Sequence, residues 1–303
     1  MPSKIIFYNH FHRGDLHTHK EFVKQIMREL PDFEYEYKHK NPRRLTDDYL
    51  VPFTGTPDGL SPKEKMYAEG DTMWINTWVG SDWDIFCKHG GINMNTLHEQ
   101  WYNIFEAINF HFHTELVLDK VKENYLPKMN YQSMSSLGIQ KYLDKSIGRG
   151  KMLICNNVPN SGQSFPHTME EYILPLAREN THVDFIVTNP LHEKLNNLYT
   201  TSEIIGNVGE TDLLEISLLS RSCDVIVGKN SGPFVFCETY DNLMDQEKVF
   251  ISFNTKNPQY DTIKETMSNG LDLKCKYNTV PIVDNTNLSD DDRINILNAF
   301  INI

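Results

Sequence analysis

The stretch of this sequence best suited to chemistry is DVIVGKNSGPFVFCE, residues 224–238. Its apolar start, residues 225–227, is typical of a buried parallel strand because β-branched residues follow one another without polar alternation. Residues 228–233 then form a glycine-rich turn, and a helix is predicted to open at 234–238. Free N–H groups and the positive end of the helix dipole suit such a turn to a phosphate. An ordinary strand-to-helix turn capped by glycine has the same sequence, so both interpretations are open.

A second glycine turn follows the first strand of the chain. Residues 4–8 are predicted to form that strand, 18–30 a helix with apolar residues at helical spacing, and 33–37 a half-buried strand. This βαβ order is typical of a doubly wound sheet, in which ligands bind at the carboxyl ends of the strands. Gly14 and Asp15 therefore lie where a ligand would bind. The basic residues around them are His12, Arg13 and His17.

Basic and aromatic residues later in the first half indicate what such a ligand could be. Residues 38–44, KHKNPRR, form a dense basic run that fits an anionic acceptor or DNA as well as a solvated loop. Trp78 and Trp83 fall in a polar, glycine-bearing loop, where they could stack on a sugar or a base or pack into the core. Asp82 and Asp84 form a DxD pattern, but a lone DxD is a weak signal, and no metal site is predicted.

Composition narrows the class of protein. The net charge of −12 opposes non-specific binding to nucleic acid. No apolar run approaches the roughly 20 residues of a membrane span, and the first residues lack the pattern of a signal peptide. The five cysteines are scattered, odd in number and without metal-type spacing, which predicts free thiols in a reducing cytoplasm.

A second α/β pattern begins near residue 150. Strands are predicted at 152–155 and 184–188, and the loop 156–165 and the exit at Asn189 fall at one carboxyl edge. A helix over 213–221 precedes the glycine-rich turn, and a strand at 249–252 closes the sheet. The sequence therefore predicts two α/β, Rossmann-like domains, residues 1–147 and 148–303, each with a glycine turn beside a strand end.

Two such domains facing each other across a cleft make the GT-B plan of glycosyltransferases. Residues 14–18, GDLHT, resemble the opening of the bacterial heptosyltransferases, glycosyltransferase family 9, where a Gly-Asp pair begins the first helix. Residues 224–233 resemble the signature of that family's carboxyl half, with Asn230 in place of an aspartate. Residues 211–215 and 160–166 also match. The resemblance does not cover 38–146, and the family's HLA-type helix after the glycine turn is replaced by FVFCE.

The resemblance implies an inverting, metal-independent glycosyltransferase with a nucleotide-diphosphate sugar as donor and no other cofactor. It implies that Asp15 is the general base; an N-cap carboxylate on the helix predicted from Thr18 is the structural alternative. The terminal helix of such proteins can pack back on the first domain. The predicted acceptor-binding residues are His12, Arg13, His17, Trp78 and Trp83. The predicted donor-binding residues are Ser161, Gln163, Asn189, Thr211, Lys229, Asn230, Ser231, Gly232 and Glu238.

Rival functions fit the same plan. A sugar-nucleotide epimerase or hydrolase would turn over the nucleotide sugar without an acceptor, and a non-catalytic nucleotide- or glycan-binding protein would not depend on Asp15. The acceptor in the leading hypothesis is a glycan or another hydroxyl compound. A modified DNA base is a variant that the basic run and the tryptophans allow and the overall acidity disfavours.

Overall fold

The computed structural model describes residues 3–41, 51–78, 81, 96–134, 136–157, 167–206, 212–229, 231–255, 271–283 and 287–301. They divide into two compact units, the first ending at Met129 and the second beginning at Asn130, with Leu271 counted in the first. None of the described helices is both long and apolar enough to cross a membrane. The cysteines Cys155, Cys223, Cys237 and Cys275 are buried and free, as their spacing predicted.

The first unit is built on a mixed four-stranded sheet. Its strands are β1 (Lys4–Asn9), β2 (Glu34–His39), β3 (Met66–Glu69) and β4 (Thr72–Asn76). The order is β2-β1-β4-β3, with β1 parallel to both neighbours and β3 antiparallel at the edge. The α-helices in the described part of the unit are α1 (Arg13–Glu29) and α2 (Leu97–Phe112), and Lys122–Tyr125 form a short 3-10 helix. The parallel pair β1–β2 connected through α1 confirms the predicted βαβ unit.

Helix α1 begins five residues before its predicted start at Thr18. Phe22, Val23 and Ile26 are fully buried at helical spacing, as predicted. The N-cap, however, is His12, whose side chain makes no capping hydrogen bond. Asp15 therefore lies inside the first turn, and the alternative of an N-cap carboxylate at a helix starting from Thr18 is wrong.

The second unit holds a six-stranded sheet in which every strand is parallel to its neighbours. Its strands are β5 (Gly150–Cys155), β6 (Val183–Val187), β7 (Leu198–Thr200), β8 (Val225–Lys229), β9 (Val249–Thr255) and β10 (Lys276–Ile282), in the order β10-β9-β8-β5-β6-β7. The described helices are α3 (Leu137–Lys145), α4 (Glu170–Glu179), α5 (Thr201–Ile205), α6 (Leu213–Ser220), α7 (Gly232–Cys237), α8 (Tyr240–Leu243) and α9 (Asp290–Ile301). β10 extends the sheet beyond β9, where the sequence-based prediction ended it.

The boundary between the units lies ahead of the predicted division at 147/148 because α3 packs with the second unit. The hydroxyl of Tyr142 donates to Oδ2 of the buried Asp184, 2.9 Å away. Gly138 lies so close to α5 that a Cβ there would sit 2.2 Å from the carbonyl oxygen of Ile204. These contacts make α3 part of the second unit and not the end of the first.

Candidate functional site

The parallel strands β2, β1 and β4 end at one edge of the first sheet, and Asn9 organises that edge. Asn9 is fully buried, and its Oδ1 accepts the N–H groups of Phe11 at 2.8 Å and His12 at 3.2 Å. This side-chain turn leads the chain from β1 into α1. The Nδ2 atom of Asn9 donates to Oδ2 of Asp15 at 3.3 Å and to Oγ1 of Thr77 at 3.5 Å. Asn9 thereby joins the end of β1 to Asp15 and to the residue after β4.

Asp15 is half-buried in the first turn of α1, where the helix dipole favours a negative charge. Its main-chain carbonyl accepts from Thr18 Oγ1 at 3.2 Å and pairs with His19 Nδ1 at 2.8 Å. Its carboxylate acts on two buried groups. Burial raises the pKa of Tyr37, and Asp15 adds to that rise; Asp15 also raises the pKa of Lys65.

Lys65 is a site residue that the sequence did not predict. Its side chain is 2% exposed, and its Nζ donates to the carbonyl oxygen of Trp78 at 3.3 Å. Burial lowers the pKa of Lys65 to about 7, and the carboxylate of Asp15 opposes that fall. The buried lysine and the half-buried Asp15 therefore influence each other electrostatically at the edge of the sheet.

A group of basic residues lies where β2 ends. His39 is buried, and its Nδ1 accepts the N–H of Asn41 at 2.9 Å, which leaves the proton of the neutral ring on Nε2. That Nε2 has no hydrogen-bond partner among the described residues. Burial, together with the smaller effects of Arg13 and His12, lowers the pKa of His39 to about 4. Two of the predicted acceptor-binding residues therefore lie together beside His39.

The other predicted acceptor-binding residues, Trp78, His17 and Trp83, do not come together in one place. Trp78 is partly exposed, and its ring centroid lies 4.6 Å from that of Phe11 in the turn before α1. Trp78 thus packs on the turn that precedes the helix of Asp15. His17 is buried, with 3% of its surface exposed, so its side chain faces the interior of the unit. Trp83 lies outside the described residues.

In the second sheet, β5 has β8 on one side and β6 on the other, so the direction of winding changes here. Open parallel sheets bind ligands at the carboxyl edge of such a point. The buried Asn156 follows β5; its Oδ1 accepts the N–H of Asn189 at 2.7 Å and its Nδ2 donates to the Asn189 carbonyl at 3.0 Å. Asn157 Nδ2 donates to Asn189 Oδ1 at 3.4 Å. The Oδ1 of Asn157 is buried without a hydrogen-bond partner in the described part of the chain.

Lys229 and Ser231 flank the end of β8. Lys229 is the last residue of the strand, fully buried, and its Nζ donates to the carbonyl of His167 at 2.8 Å. Burial lowers the pKa of Lys229 to about 8. Ser231 is the N-cap of α7, with Gly232 as the first helical residue. The Oγ of Ser231 is buried and finds no hydrogen-bond partner within the described residues.

Gly228 and Gly232 differ in whether their surroundings leave room for a side chain. Gly228 lies inside β8 and not in the turn, since the strand continues to Lys229. A Cβ at Gly228 would lie 2.5 Å from Cδ2 of Phe234 and 2.9 Å from Cβ of Cys155, so packing excludes a side chain there. A Cβ at Gly232 would meet Leu213 at an ordinary 3.6 Å.

His167 connects this edge to a neighbouring pocket. The N–H of Met169 donates to its Nδ1 at 3.0 Å, and its Nε2 lies 3.5 Å from Glu171. Burial lowers the pKa of His167, and Glu171 opposes this. A pocket of about 490 Å³ lies beside it, and charged side chains that line this pocket form ion pairs within the unit. Those pairs are Glu170–His192, Arg178–Glu193 and Glu171–Arg293.

Glu238, predicted to meet a ribose, lies in the interior. Its side chain is 1% exposed, and its Oε1 accepts the hydroxyl of Tyr277 at 2.5 Å. A contact between Glu238 and a donor stays a prediction that this burial does not favour. Four predicted donor-binding residues lie outside the described residues: Ser161, Gln163, Thr211 and Asn230.

Sequence reasoning missed Asn9 and Lys65 in the first unit and His167 in the second, and it named His39 and Asn156 only as members of the basic run 38–44 and the loop 156–165. Asn9 and Asn156 each follow an apolar run at its carboxyl end, and that position was the available signal. Lys65 lies in a charged, proline-bearing stretch, SPKEK, that is typical of a solvated loop. Within the described ranges, no group of three or more His, Cys, Asp or Glu side chains could hold a metal ion.

No protein-family model and no curated protein matches the sequence. Solved structures do. A glycosyl transferase family 9 structure from Veillonella parvula is 9% identical, with a TM-score of 0.52 over 98% of this chain and 91% of that one. The ADP-heptose lps heptosyltransferase II of E. coli is 13% identical, with a TM-score of 0.47 over 99% and 98% of the two chains. The E. coli heptosyltransferase WaaC with ADP is 10% identical, with a TM-score of 0.49 over 99% and 98%.

The likeness to the Veillonella structure shows that the fold of this chain is similar to that of a glycosyl transferase family 9 protein. The predicted α/β class and the resemblance to family 9 are thereby confirmed at the level of the fold, and the cleft between two domains stays a prediction.

Proposed function

We propose that the protein is a glycosyltransferase that moves a sugar from a nucleotide-diphosphate sugar to a hydroxyl of an acceptor. The observation that carries this proposal is the placement of Asp15. Its carboxylate is half-buried in the first turn of the helix after β1, beside the carboxyl edge of the sheet, and Asn9 Nδ2 holds it at 3.3 Å. The fold shared with a family 9 glycosyltransferase supports the same function.

The proposed reaction is a single displacement. The oxygen of the acceptor hydroxyl attacks the anomeric carbon, and its proton passes to the carboxylate of Asp15. The bond from the anomeric carbon to the diphosphate oxygen breaks, and its electron pair leaves with the nucleoside diphosphate. Attack from the face opposite the leaving group inverts the anomeric centre. In this scheme Arg13, His12 and Trp78 contact the acceptor at the edge of the first sheet.

The second unit is proposed to bind the donor at the edge between β8 and β6. The buried polar atoms Ser231 Oγ and Asn157 Oδ1, which have no hydrogen-bond partner among the described residues, support a polar ligand there. Ser231 Oγ, the N–H of Gly232 and Lys229 Nζ are the proposed donors to the diphosphate. We further propose that transfer needs no metal ion, and activity retained in a chelator would agree. The four free thiols of the described residues support the proposal of a reducing, cytoplasmic location.

A thermal-shift panel of nucleoside diphosphates and their sugars tests this function, with wild type and Asp15→Asn side by side. A ligand at 100 times its dissociation constant stabilises a folded protein by about 2.7 kcal/mol. We expect one nucleotide to stabilise both proteins, and sugar transfer to a hydroxyl acceptor to require Asp15. Stabilisation by no nucleotide would overturn the donor site. Turnover of the donor without any acceptor would identify a hydrolase or epimerase instead, and binding without turnover a binding protein.

A further inference from the structure

Lys65 stands out among the buried groups because an ammonium group is costly to remove from water. It precedes β3 directly, is 2% exposed, and has its Nζ 3.3 Å from the carbonyl oxygen of Trp78. A neutral methionine of similar length would fill the same space without that cost. A buried lysine in this position therefore calls for a counter-charge or a function.

The titratable groups that face Lys65 include Asp15 and His19, both on α1. Burial lowers the pKa of His19 to about 3, and the charge of Lys65 adds to that effect, so His19 is neutral at pH 7. Asp15 acts in the opposite direction, since its carboxylate raises the pKa of Lys65 against the effect of burial. Coupling between two sites is reciprocal, so a lysine that is stabilised in its charged form by Asp15 stabilises the charged form of Asp15 equally.

The hydrogen bonds around the pair show how it is fixed. Thr77 Oγ1 is shared by Asn9 Nδ2 and the hydroxyl of Tyr37, and Asn9 Nδ2 also reaches Asp15 Oδ2. The next residue, Trp78, supplies the carbonyl that holds Lys65 Nζ. Residues 77 and 78 thus join both members of the pair to the end of β4.

We propose that Lys65 is a positioning residue for Asp15: its ammonium, held by the carbonyl of Trp78, keeps the Asp15 carboxylate ionised and fixed beside Asn9. The role of Asp15 as base rests on the proposed function, whereas the pairing itself does not. In the ionised state the carboxylate is ready to take the acceptor proton. Lys65 itself contacts no substrate in this scheme.

The pairing can be measured without any substrate. Full-length protein carrying ¹³C-labelled lysine is titrated by NMR, and the Lys65 ¹³Cε signal is assigned by its absence in Lys65→Met. In wild type we expect a titration midpoint near the value of about 7 that burial and Asp15 produce together. In Asp15→Asn the midpoint should fall by about one pH unit, because the carboxylate that favours the ammonium is gone.

The matched control is Asp32→Asn, which removes an exposed carboxylate just beyond the other end of α1. It should leave the Lys65 midpoint unchanged. A Lys65 midpoint in the usual lysine range, or one that Asp15→Asn does not move, overturns the inference. Neither result depends on transferase activity, so this failure is distinct from a failure of the proposed function.

A pH profile of transfer, with the donor identified by the thermal-shift panel, tests the positioning role. In Lys65→Met the acid limb of the pH–rate profile should move upward by about one pH unit, so that the rate on that limb falls about tenfold. The rate on the plateau should stay at the wild-type value. Lys65→Arg, which keeps the charge, should restore the wild-type profile, and the exposed Lys63→Met should match wild type. An equal loss at every pH in Lys65→Met, with no rescue by arginine, would show a merely structural lysine and overturn the proposal.

Discussion

The carboxyl edges of the two sheets are lined with different chemistry. At the edge of the first sheet three of the buried side chains are bases: His19, His39 and Lys65 are each at most 3% exposed, and burial lowers the pKa of all three. A half-buried carboxylate, Asp15, lies among them. This edge is therefore arranged so that protonation changes its charge.

The edge of the second sheet is mostly neutral. Asn156, Asn157 and Ser231 supply amide and hydroxyl groups, and the buried Lys229 donates to a main-chain carbonyl. The amide and hydroxyl dipoles do not titrate, so they bind a polar ligand over a wide pH range, and Lys229 is the titratable group among these four. This difference agrees with the proposed division, in which proton transfer belongs to the first unit and ligand binding to the second, and the predictions below test it.

The largest effect is expected from Asp15→Asn. The amide keeps the shape of the side chain but cannot take a proton, so the transfer rate should fall by about 10²–10⁴-fold. The affinity for the donor should be unchanged, because the proposed donor site is in the second unit. Steady-state kinetics and calorimetric titration measure the two quantities, with Asp32→Asn as the control. A parallel loss of donor affinity would contradict the division of roles.

As the pH falls, the free energy of unfolding of the first unit should decrease before that of the second. The pKa values of His19 and His39 in the folded protein, about 3 and about 4, lie below the usual 6.5. Below about pH 6.5 the unfolded chain therefore binds more protons than the folded protein does. The contribution of the neutral histidines to the free energy of unfolding is complete above about pH 6.5 and is lost as the pH falls toward 4 and 3. For the two histidines together the loss is up to about 4 kcal/mol by pH 5.

The sequence offers separate probes for this measurement. Trp74, Trp78, Trp83 and Trp101 all belong to the first unit, whereas the buried thiols Cys155, Cys223, Cys237 and Cys275 belong to the second. Urea unfolding at pH 7 and pH 5 is followed by tryptophan fluorescence and by labelling with a thiol reagent active in acid, in a Cys87→Ser background. Equal acid shifts of both probes would show that the buried histidines do not set the difference.

Lys229→Met should weaken binding of the nucleoside diphosphate by about 1.5–3 kcal/mol, roughly tenfold to hundredfold, because a charged donor to the phosphates is lost. The matched control is Lys248→Met. Lys248 is also buried in the second unit, where its Nζ donates to the carbonyls of Arg221 at 2.8 Å and Cys223 at 2.7 Å. The control should bind as wild type does; equal losses in both variants would indicate a general effect of removing a buried lysine.

The sequence predicted the repeating strand and helix pattern because that pattern is local. Runs such as 225–227 and the apolar spacing of α1 depend on near neighbours in the chain. The edges of the sheets depend on residues far apart in sequence. Lys65 becomes a site residue only because β4 brings the carbonyl of Trp78 to it, and Asn9 only because Asp15 and Thr77 meet its amide. The early start of α1 was missed because Asn9, three residues before the N-cap, satisfies the N–H of His12.

In the glycine-rich stretch, too, contacts with other parts of the chain were not predictable from the sequence. Two substitutions test this interpretation. The sequence grouped Gly228 and Gly232 as one turn for phosphate, but in the structure only Gly228 is closed to a side chain by its neighbours Phe234 and Cys155. Gly228→Ala should therefore destabilise the protein by about 1–3 kcal/mol through overpacking. Gly232→Ala should have a smaller effect on stability, since its Cβ would meet Leu213 at 3.6 Å. Urea unfolding measures both variants. If Gly232→Ala proves the more destabilising of the two, packing is not the reason for glycine at 228.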